Sequence, residues 1–264
     1  MFIFFVLLAT MLESTETVTD LPDYHVDLRM SSQTKPYPYG VEFCVIPKTG
    51  SMITTEILCD LLRDYREIPY KHNFGKNISG INACVNNTFY PDAHLEKWKR
   101  STKIVRFTIV RDPIERFASY YGHFCGMLNQ CEGKDIHQYS RWMYFMLNNK
   151  IKPKTHLTMG RLFHGYPQSW FCNLGSDKEI QIIRYTHNKK EMAKQFLRIL
   201  KKAKVPKKLA KRALKHLKKS STVHAAKHSE RQKLREQIVT NPTTMEHVRA
   251  IYHDDFELFN KHSQ

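Results

Sequence analysis

Two short segments hold the residues that can grip an anionic group and move it. In Cys44-Val-Ile-Pro-Lys-Thr-Gly-Ser51, an ammonium (Lys48) and two hydroxyls (Thr49, Ser51) crowd a turn beside Gly50. In Phe107-Thr-Ile-Val-Arg-Asp-Pro-Ile-Glu-Arg-Phe-Ala-Ser-Tyr-Tyr121, a guanidinium (Arg111) precedes a serine (Ser119) by eight residues. Ammonium, guanidinium and hydroxyl groups are what phosphate and sulfate oxygens require. Two such sets imply one ligand with two separate anionic groups.

Each segment reads as strand, tight turn, helix. The apolar run Phe43 to Ile46 ends at Pro47, and a helical pattern (Ile53, Ile57, Leu58, Leu61, Leu62) starts after Gly50. That arrangement aims unpaired amides, the helix dipole and Lys48 at one point, where an anion is favoured. In the second segment Asp112 is placed to N-cap, Pro113 suits the first helical position and Glu115 has capping-box spacing, so a helix should follow the strand Ile104 to Val110 directly. A Walker-type site fits poorly, because Lys48 precedes its glycine and Gly-x-x-x-x-Gly-Lys-Ser/Thr is absent. Taken singly, each segment would pass as an ordinary turn or capped helix start.

Together they resemble the sulfotransferases that use 3′-phosphoadenosine 5′-phosphosulfate (PAPS), in particular the Golgi carbohydrate branch. Pro47-Lys48-Thr49-Gly50-Ser51 is similar to the loop that holds the 5′-phosphosulfate in that family, and Arg111 with Ser119 to the pair that holds the 3′-phosphate. Val-Arg-Asp-Pro-Ile-Glu-Arg resembles the heparan 2-O-sulfotransferases. Cys44 and Cys59 around the loop, and Pro167-Gln-Ser-Trp-Phe-Cys172, resemble nematode carbohydrate sulfotransferases. The resemblance implies that Lys48, Thr49, Gly50, Ser51, Arg111 and Ser119 bind PAPS, with Lys48 stabilising charge on the bridging oxygen, and that no metal takes part. Met52 departs from it, standing where many members carry a second hydroxyl.

Transfer to an alcohol also needs a base, and histidine suits neutral pH. The resemblance puts it between the two loops, where His94 is the nearer match and His72 the second, with Glu56 and Glu67 as carboxylate alternatives. His123, one turn after Ser119, shares its helix face. His164 and Gln168 belong to a His/Pro/Gln stretch that helps build the acceptor cleft in related enzymes. All three are expected to touch the acceptor, with simple packing as the competing reading.

The remaining signals concern compartment and partner. Phe2 to Leu12 is an apolar run shorter than the about 20 residues a spanning helix needs, so it reads as a signal peptide or short anchor. The stretch from Glu13 to Tyr39 reads as a stem. Six cysteines form an even set that an oxidising lumen would pair; Cys125 with Cys131, and Cys44 with Cys59, are conceivable bridges, although spacing does not fix connectivity. Asn77-Ile-Ser79 and Asn86-Asn-Thr88 are glycosylation acceptors. The net charge of +17 is concentrated between Lys189 and Lys219, where Glu191 is the single acid and apolar residues recur with helical spacing interrupted near Pro206. This is either a solvated face or a track for an acidic glycan; nucleic acid becomes a minor option for a lumenal protein.

At 264 residues and 41% hydrophobic content the chain can bury one full core. The expected fold is α/β: a three-layer P-loop-like arrangement with a mainly parallel sheet, the loops at its carboxyl edge, and a helical, basic C-terminal part. The expected division is 1–14 signal or anchor, 15–38 stem and 39–264 sulfotransferase domain, in the Golgi lumen or secreted. The expected function is sulfuryl transfer from PAPS to a carbohydrate hydroxyl, with a glycosaminoglycan such as chondroitin as the expected class of acceptor. The alternatives are a catalytically inactive glycan-binding protein on the same fold, or a basic nucleic-acid-binding protein. Oligomeric state is not legible.

Overall fold

The computed structural model describes residues 17–21, 35–37, 40–65, 76–78, 104–148, 156–174, 177–222 and 228–261. The central sheet is built from β1 (Lys35–Tyr37), β2 (Val41–Phe43), β4 (Val105–Val110) and β5 (Gln181–Arg184), in the order β1-β2-β4-β5. The last three strands are parallel, and β1 adds an antiparallel edge. A separate parallel pair joins β3 (Lys76–Ile78) to β6 (Ser221–Thr222). Asn77, one of the two glycosylation candidates, falls on β3.

Alternation along β4 explains the layering. Val105, Phe107 and Ile109 face one side, where they pack with Ile57, Leu58 and Leu61 of α1 (Ser51–Tyr65) and with Phe196, Ile199 and Leu200 of α5 (Lys189–Lys202). Val110 faces the other side with Cys44, Ile46 and Phe171, and Phe259 of α10 (His253–Lys261) closes that layer. A helical core stands beside the sheet, formed by α2 (Pro113–Tyr121), α3 (Ile136–Leu147), α4 (His156–Gly165), α8 (His228–Thr240) and α9 (Pro242–Ile251). Gly165 is required there, since a Cβ would lie 2.7 Å from Met143 Cε and 2.9 Å from Tyr120 Cζ.

The basic stretch forms α5, α6 (Lys207–Ala213) and α7 (His216–Lys219), interrupted at Pro206 as its sequence predicts. Met192, Phe196, Ile199 and Leu200 point inward while the lysines remain exposed. Gln195 of α5 also completes the sheet edge: its Oε1 accepts from Arg184 N at 2.8 Å and its Nε2 donates to Arg184 O at 3.0 Å.

Several expectations change in detail. The strand predicted from Ile104 begins at Val105, and the one predicted over Ile180 to Tyr185 spans Gln181–Arg184. Parts of the stretch read as stem dock on the domain: β1 extends the sheet, Thr19 N donates to Tyr144 Oη at 2.9 Å, and Leu21 N donates to Ala250 O at 3.3 Å. A Cys44–Cys59 bridge does not form. Cys44 pairs with Cys172 across 128 residues because both lie on the same side of β4, while Cys125 pairs with Cys131. Cys59 is disulfide-bonded as well. The run Phe2 to Leu12 and Asn86 lie outside the described residues; no described helix is long and apolar enough to cross a membrane.

Phe107 is fully buried, stacked on Phe43 at 5.0 Å and edge-on to Phe196 at 6.1 Å. Phe107→Ala should cost about 3–5 kcal/mol, read as a lower denaturation midpoint in guanidinium.

Candidate functional site

Both sequence-predicted loops end at the carboxyl edge of the parallel strands, where they line one cleft of about 580 Å³, a size within the about 300–1,000 Å³ range of ligand sites. Lys48, Thr49, Gly50, Ser51, Arg111, Ser119, His123 and His164 all line it, as do Met52, Lys189 and Arg231. Among the described lining residues there are four basic side chains (Lys48, Arg111, Lys189, Arg231) besides the histidines, and no carboxylate. Such a cleft favours an anion.

The first loop has an unusual backbone. Lys48 has φ 67° and Gly50 φ 94°, so two left-handed residues turn the chain from β2 into α1. For lysine this conformation is costly and points to a functional constraint. At Gly50 it is the positive φ that calls for glycine, since a Cβ would only come into ordinary contact with the Tyr185 ring at 3.4 Å. Thr49 is fully buried, and its hydroxyl donates to Ile46 O at 2.9 Å, so it braces the turn. Thr54 N is the first amide of α1 to bond back, to Gly50 O at 3.2 Å. The amides of Ser51, Met52 and Ile53 precede it without intrahelical acceptors.

Arginines clamp this loop from the second segment. Arg111 Nη1 donates to Lys48 O at 3.2 Å, and the fully buried Arg116 donates through Nε to Pro47 O at 3.1 Å and through Nη2 to His164 O at 3.2 Å. Lys48 itself is lowered to a pKa of about 8, first by burial and then by Arg111 and Arg116. Its ammonium lies 6.0 Å from the Phe124 ring. Burial likewise pushes Arg111 down, against the opposing influence of Tyr185 and Glu115. The Tyr185 ring stacks on its guanidinium at 4.7 Å.

The predicted cap forms only in part. Asp112 Oδ1 accepts from Glu115 N at 2.9 Å, with Pro113 in the first turn. The Glu115 carboxylate does not turn back to close the box. It lies 3.5 Å from Arg111 and 3.1 Å from His187 Nε2, a stronger electrostatic choice than a neutral amide.

Gln168, expected to touch the acceptor, does not line the cleft. It is fully buried: Oε1 accepts from Arg111 N at 2.8 Å and Nε2 donates to Arg111 O at 2.8 Å. Behind it the buried Asp255 carboxylate accepts from Gln168 N at 2.7 Å and Ser169 N at 2.8 Å. Gln168 therefore positions Arg111, and Asp255 positions Gln168. Glu56 is also away from the cleft, buried beside Asp60 and His216, where desolvation raises its pKa. His94, His72 and Glu67 lie outside the described residues.

His164 lines the cleft edge-on to Phe124 at 5.2 Å and Phe163 at 5.7 Å. Its Nδ1 is 2.8 Å from Gly160 O, which can only accept, so the ring proton is on Nδ1 and Nε2 carries a lone pair. Burial pushes its pKa below that of an ordinary imidazole, with Lys48 and Arg116 acting in the same direction. His123 lies on the π-helical turn Gly122–Met127 that extends α2, a device often seen where a helix bends around a site.

Sequence reasoning missed Arg231, Tyr185 and His187. Arg231 comes from α8, about 120 residues beyond the second loop, and no motif surrounds it. Its Nε is buried without a hydrogen-bond partner among the described residues, and its charge is felt by Arg111 and His187. An orphaned guanidinium nitrogen beside a second arginine marks a place for an anion.

A sulfotransferase family model matches residues 37–262. Among curated proteins, an uncharacterized Caenorhabditis elegans protein is 25% identical over 84% of this chain and 67% of its own length. The C. elegans protein vep-2, provisionally named a sulfotransferase, is 28% identical over 64% of this chain and 57% of its own. The C. elegans carbohydrate sulfotransferase chst-1 is 23% identical over 84% and 73%. No solved structure matches significantly.

Because an amide oxygen cannot replace both carboxylate acceptors, Asp255→Asn sets an NH₂ against a backbone N–H. Stability should fall by about 1.5–3 kcal/mol, measured by urea denaturation.

Proposed function

The chain belongs to the sulfotransferase family, and on that premise we propose that it transfers a sulfuryl group from PAPS to a hydroxyl of an acidic glycan, a glycosaminoglycan such as chondroitin, in the secretory pathway. The observation that carries this reading is the convergence of Lys48, Arg111 and Arg231 in one carboxylate-free cleft. A ligand with two anionic groups complements that charge, and the orphaned Nε of Arg231 fits a second phosphate. The relative named for carbohydrate sulfotransfer supports a glycan acceptor. The exposed lysines of α5 to α7 suit an acidic chain, and Lys189 links that surface to the cleft. The disulfides accord with an oxidising lumen.

PAPS supplies a sulfuryl group already attached to a phosphate leaving group. Lys48 and the amides of residues 49–53 would hold the 5′ end, where charge develops on the leaving oxygen. Arg111, Ser119 and Arg231 would hold the 3′-phosphate and so fix the alignment for in-line attack. Of the three described histidines that line the cleft, His164 is the base we assign: Gly160 orients it through Nδ1, which leaves Nε2 outside that bond. His94 is the sequence-based alternative.

The direct test is transfer of labelled sulfate from PAPS to a panel of desulfated glycosaminoglycans. Wild-type transfer, lost at least about 100-fold in Lys48→Ala and Arg111→Ala, supports the enzyme. Nucleotide binding without transfer points to a glycan-binding protein instead. Arg231→Ala should weaken adenosine 3′,5′-bisphosphate about tenfold or more, by calorimetry. Comparing His164→Ala with His94→Ala assigns the base, since the true base loses kcat and keeps bisphosphate affinity.

The pH profile follows from two lowered pKa values. Lys48 is cationic below about 8 and loses its charge as pH rises through that value. His164 becomes a base as pH rises through a value below 6.5. kcat/KM should therefore be bell-shaped, with its alkaline limb near pH 8; a flat profile from pH 7 to 10 would contradict the role of Lys48.

A further inference from the structure

Outside the cleft, three side chains of metal-ligating type converge in the interior. Glu56 and Asp60 lie one turn apart on α1, so both carboxylates fall on the same helix face, and His216 opens α7, which packs on α1. One ligand atom from each, two carboxylate oxygens and an imidazole nitrogen, lies within 4.8 Å of the other two. All three residues are buried. The transfer chemistry uses none of them.

Glu56 is the informative member. It is only 7% exposed, yet its carboxylate makes no hydrogen bond or ion pair among the described residues. A buried carboxylate in that position is costly unless a cation meets it. Burial raises its pKa, and the charge of Asp60 adds to the rise against the opposing influence of His216 and Arg63.

Its two neighbours are braced as metal ligands usually are. Asp60 presents Oδ2 to His216 Nε2 at 2.7 Å, while its Oδ1 lies 3.5 Å from Arg63. His216 turns its other nitrogen, Nδ1, to Ser220 Oγ at 2.8 Å. In metal centres such outer partners fix the ring and the carboxylate. A cation on Nε2 displaces any proton there to solvent, and Nδ1 then donates to Ser220 Oγ, whichever protonation state precedes binding. Ligand atoms around a tetrahedral Zn²⁺ stand about 3.3 Å apart, so the Nε2–Oδ2 pair opens by about half an ångström on binding.

We propose that Glu56, Asp60 and His216 form a binding site for one divalent transition cation of the Zn²⁺ class, which clips α7 of the basic segment to α1, the helix that begins at the first loop. An imidazole nitrogen beside two carboxylates suits zinc better than the oxygen-seeking Ca²⁺ and Mg²⁺. Water fills the fourth position. The cation stands apart from the transfer step: Leu217 and Ser220, which follow His216, line the cleft, and the three ligands do not. The inference is independent of the donor reading above.

The test is calorimetry and thermal denaturation of the full chain after stripping with EDTA. Zn²⁺ should bind at one equivalent and, at about 100-fold excess over its Kd, raise the thermal midpoint by about 5 °C or more; Ca²⁺ and Mg²⁺ should do neither. Glu56→Gln keeps the shape of the side chain and removes one anionic ligand. It should fold, since no partner is lost, and bind Zn²⁺ at least about tenfold more weakly. His216→Ala should abolish the site, and Glu56→Gln decides the matter if that variant does not fold. Absence of saturable one-equivalent binding by the wild type, or a preference for Ca²⁺ or Mg²⁺, overturns the proposal. Unchanged affinity in Glu56→Gln also overturns it, because the cation would then sit on other histidines of the chain. None of these results touches the donor reading.

Discussion

Uncompensated positive charge at the carboxyl edge of three parallel strands is the constraint around which this fold is arranged. Lys48, Arg111 and Arg116 are drawn out of water around one loop, where both arginines act on Lys48, and burial weakens the charged form of Lys48 and Arg111. Like charges so placed repel, so the scaffold must hold them. Glu115 offsets part of the charge from behind Arg111, and the carbonyls of Pro47, Lys48 and His164 take guanidinium protons. The remaining charge is directed into the cleft, where a bound anion would relieve it.

The restraints that hold this arrangement are mostly neutral and buried. Gln168 grips the backbone of Arg111 on both its N–H and C=O, Asp255 grips Gln168, and Cys44–Cys172 ties the strand leading into the first loop to the segment just after Gln168. The strained φ of Lys48 is thus enforced from three sides. At the β5 edge of the sheet Gln195 treats Arg184 in the same manner. Gln195 stands in for a neighbouring strand where the sheet stops at β5, whereas Gln168 fixes the backbone just beyond the interior strand β4.

The sequence revealed what is local. Pro, Gly and Asp signals at the two strand-to-helix turns, and the period of α1 and α5, depend on residues within a few positions, so loops, helices and the break at Pro206 were legible. Contacts set by the tertiary fold were not. Arg231 reaches the cleft only because α8 packs on α2, and Asp255 reaches Gln168 across 87 residues. Gln168 looked like a cleft residue because its neighbour His164 is one; a single turn of 3₁₀ helix at Gln168–Trp170 directs it inward instead. The Cys44–Cys172 pairing was hidden for a related reason, since spacing along the chain does not reveal which residues share a sheet face.

The central claim is that one cleft accommodates two separate anionic groups on a single nucleotide. The most direct measurement compares the affinity of the protein for adenosine 3′,5′-bisphosphate with that for adenosine 5′-monophosphate at fixed ionic strength. The account predicts at least about a 100-fold advantage for the bisphosphate, corresponding to charge-assisted contacts from Arg111 and its neighbours. Equal affinities would show that the second anion site does not exist.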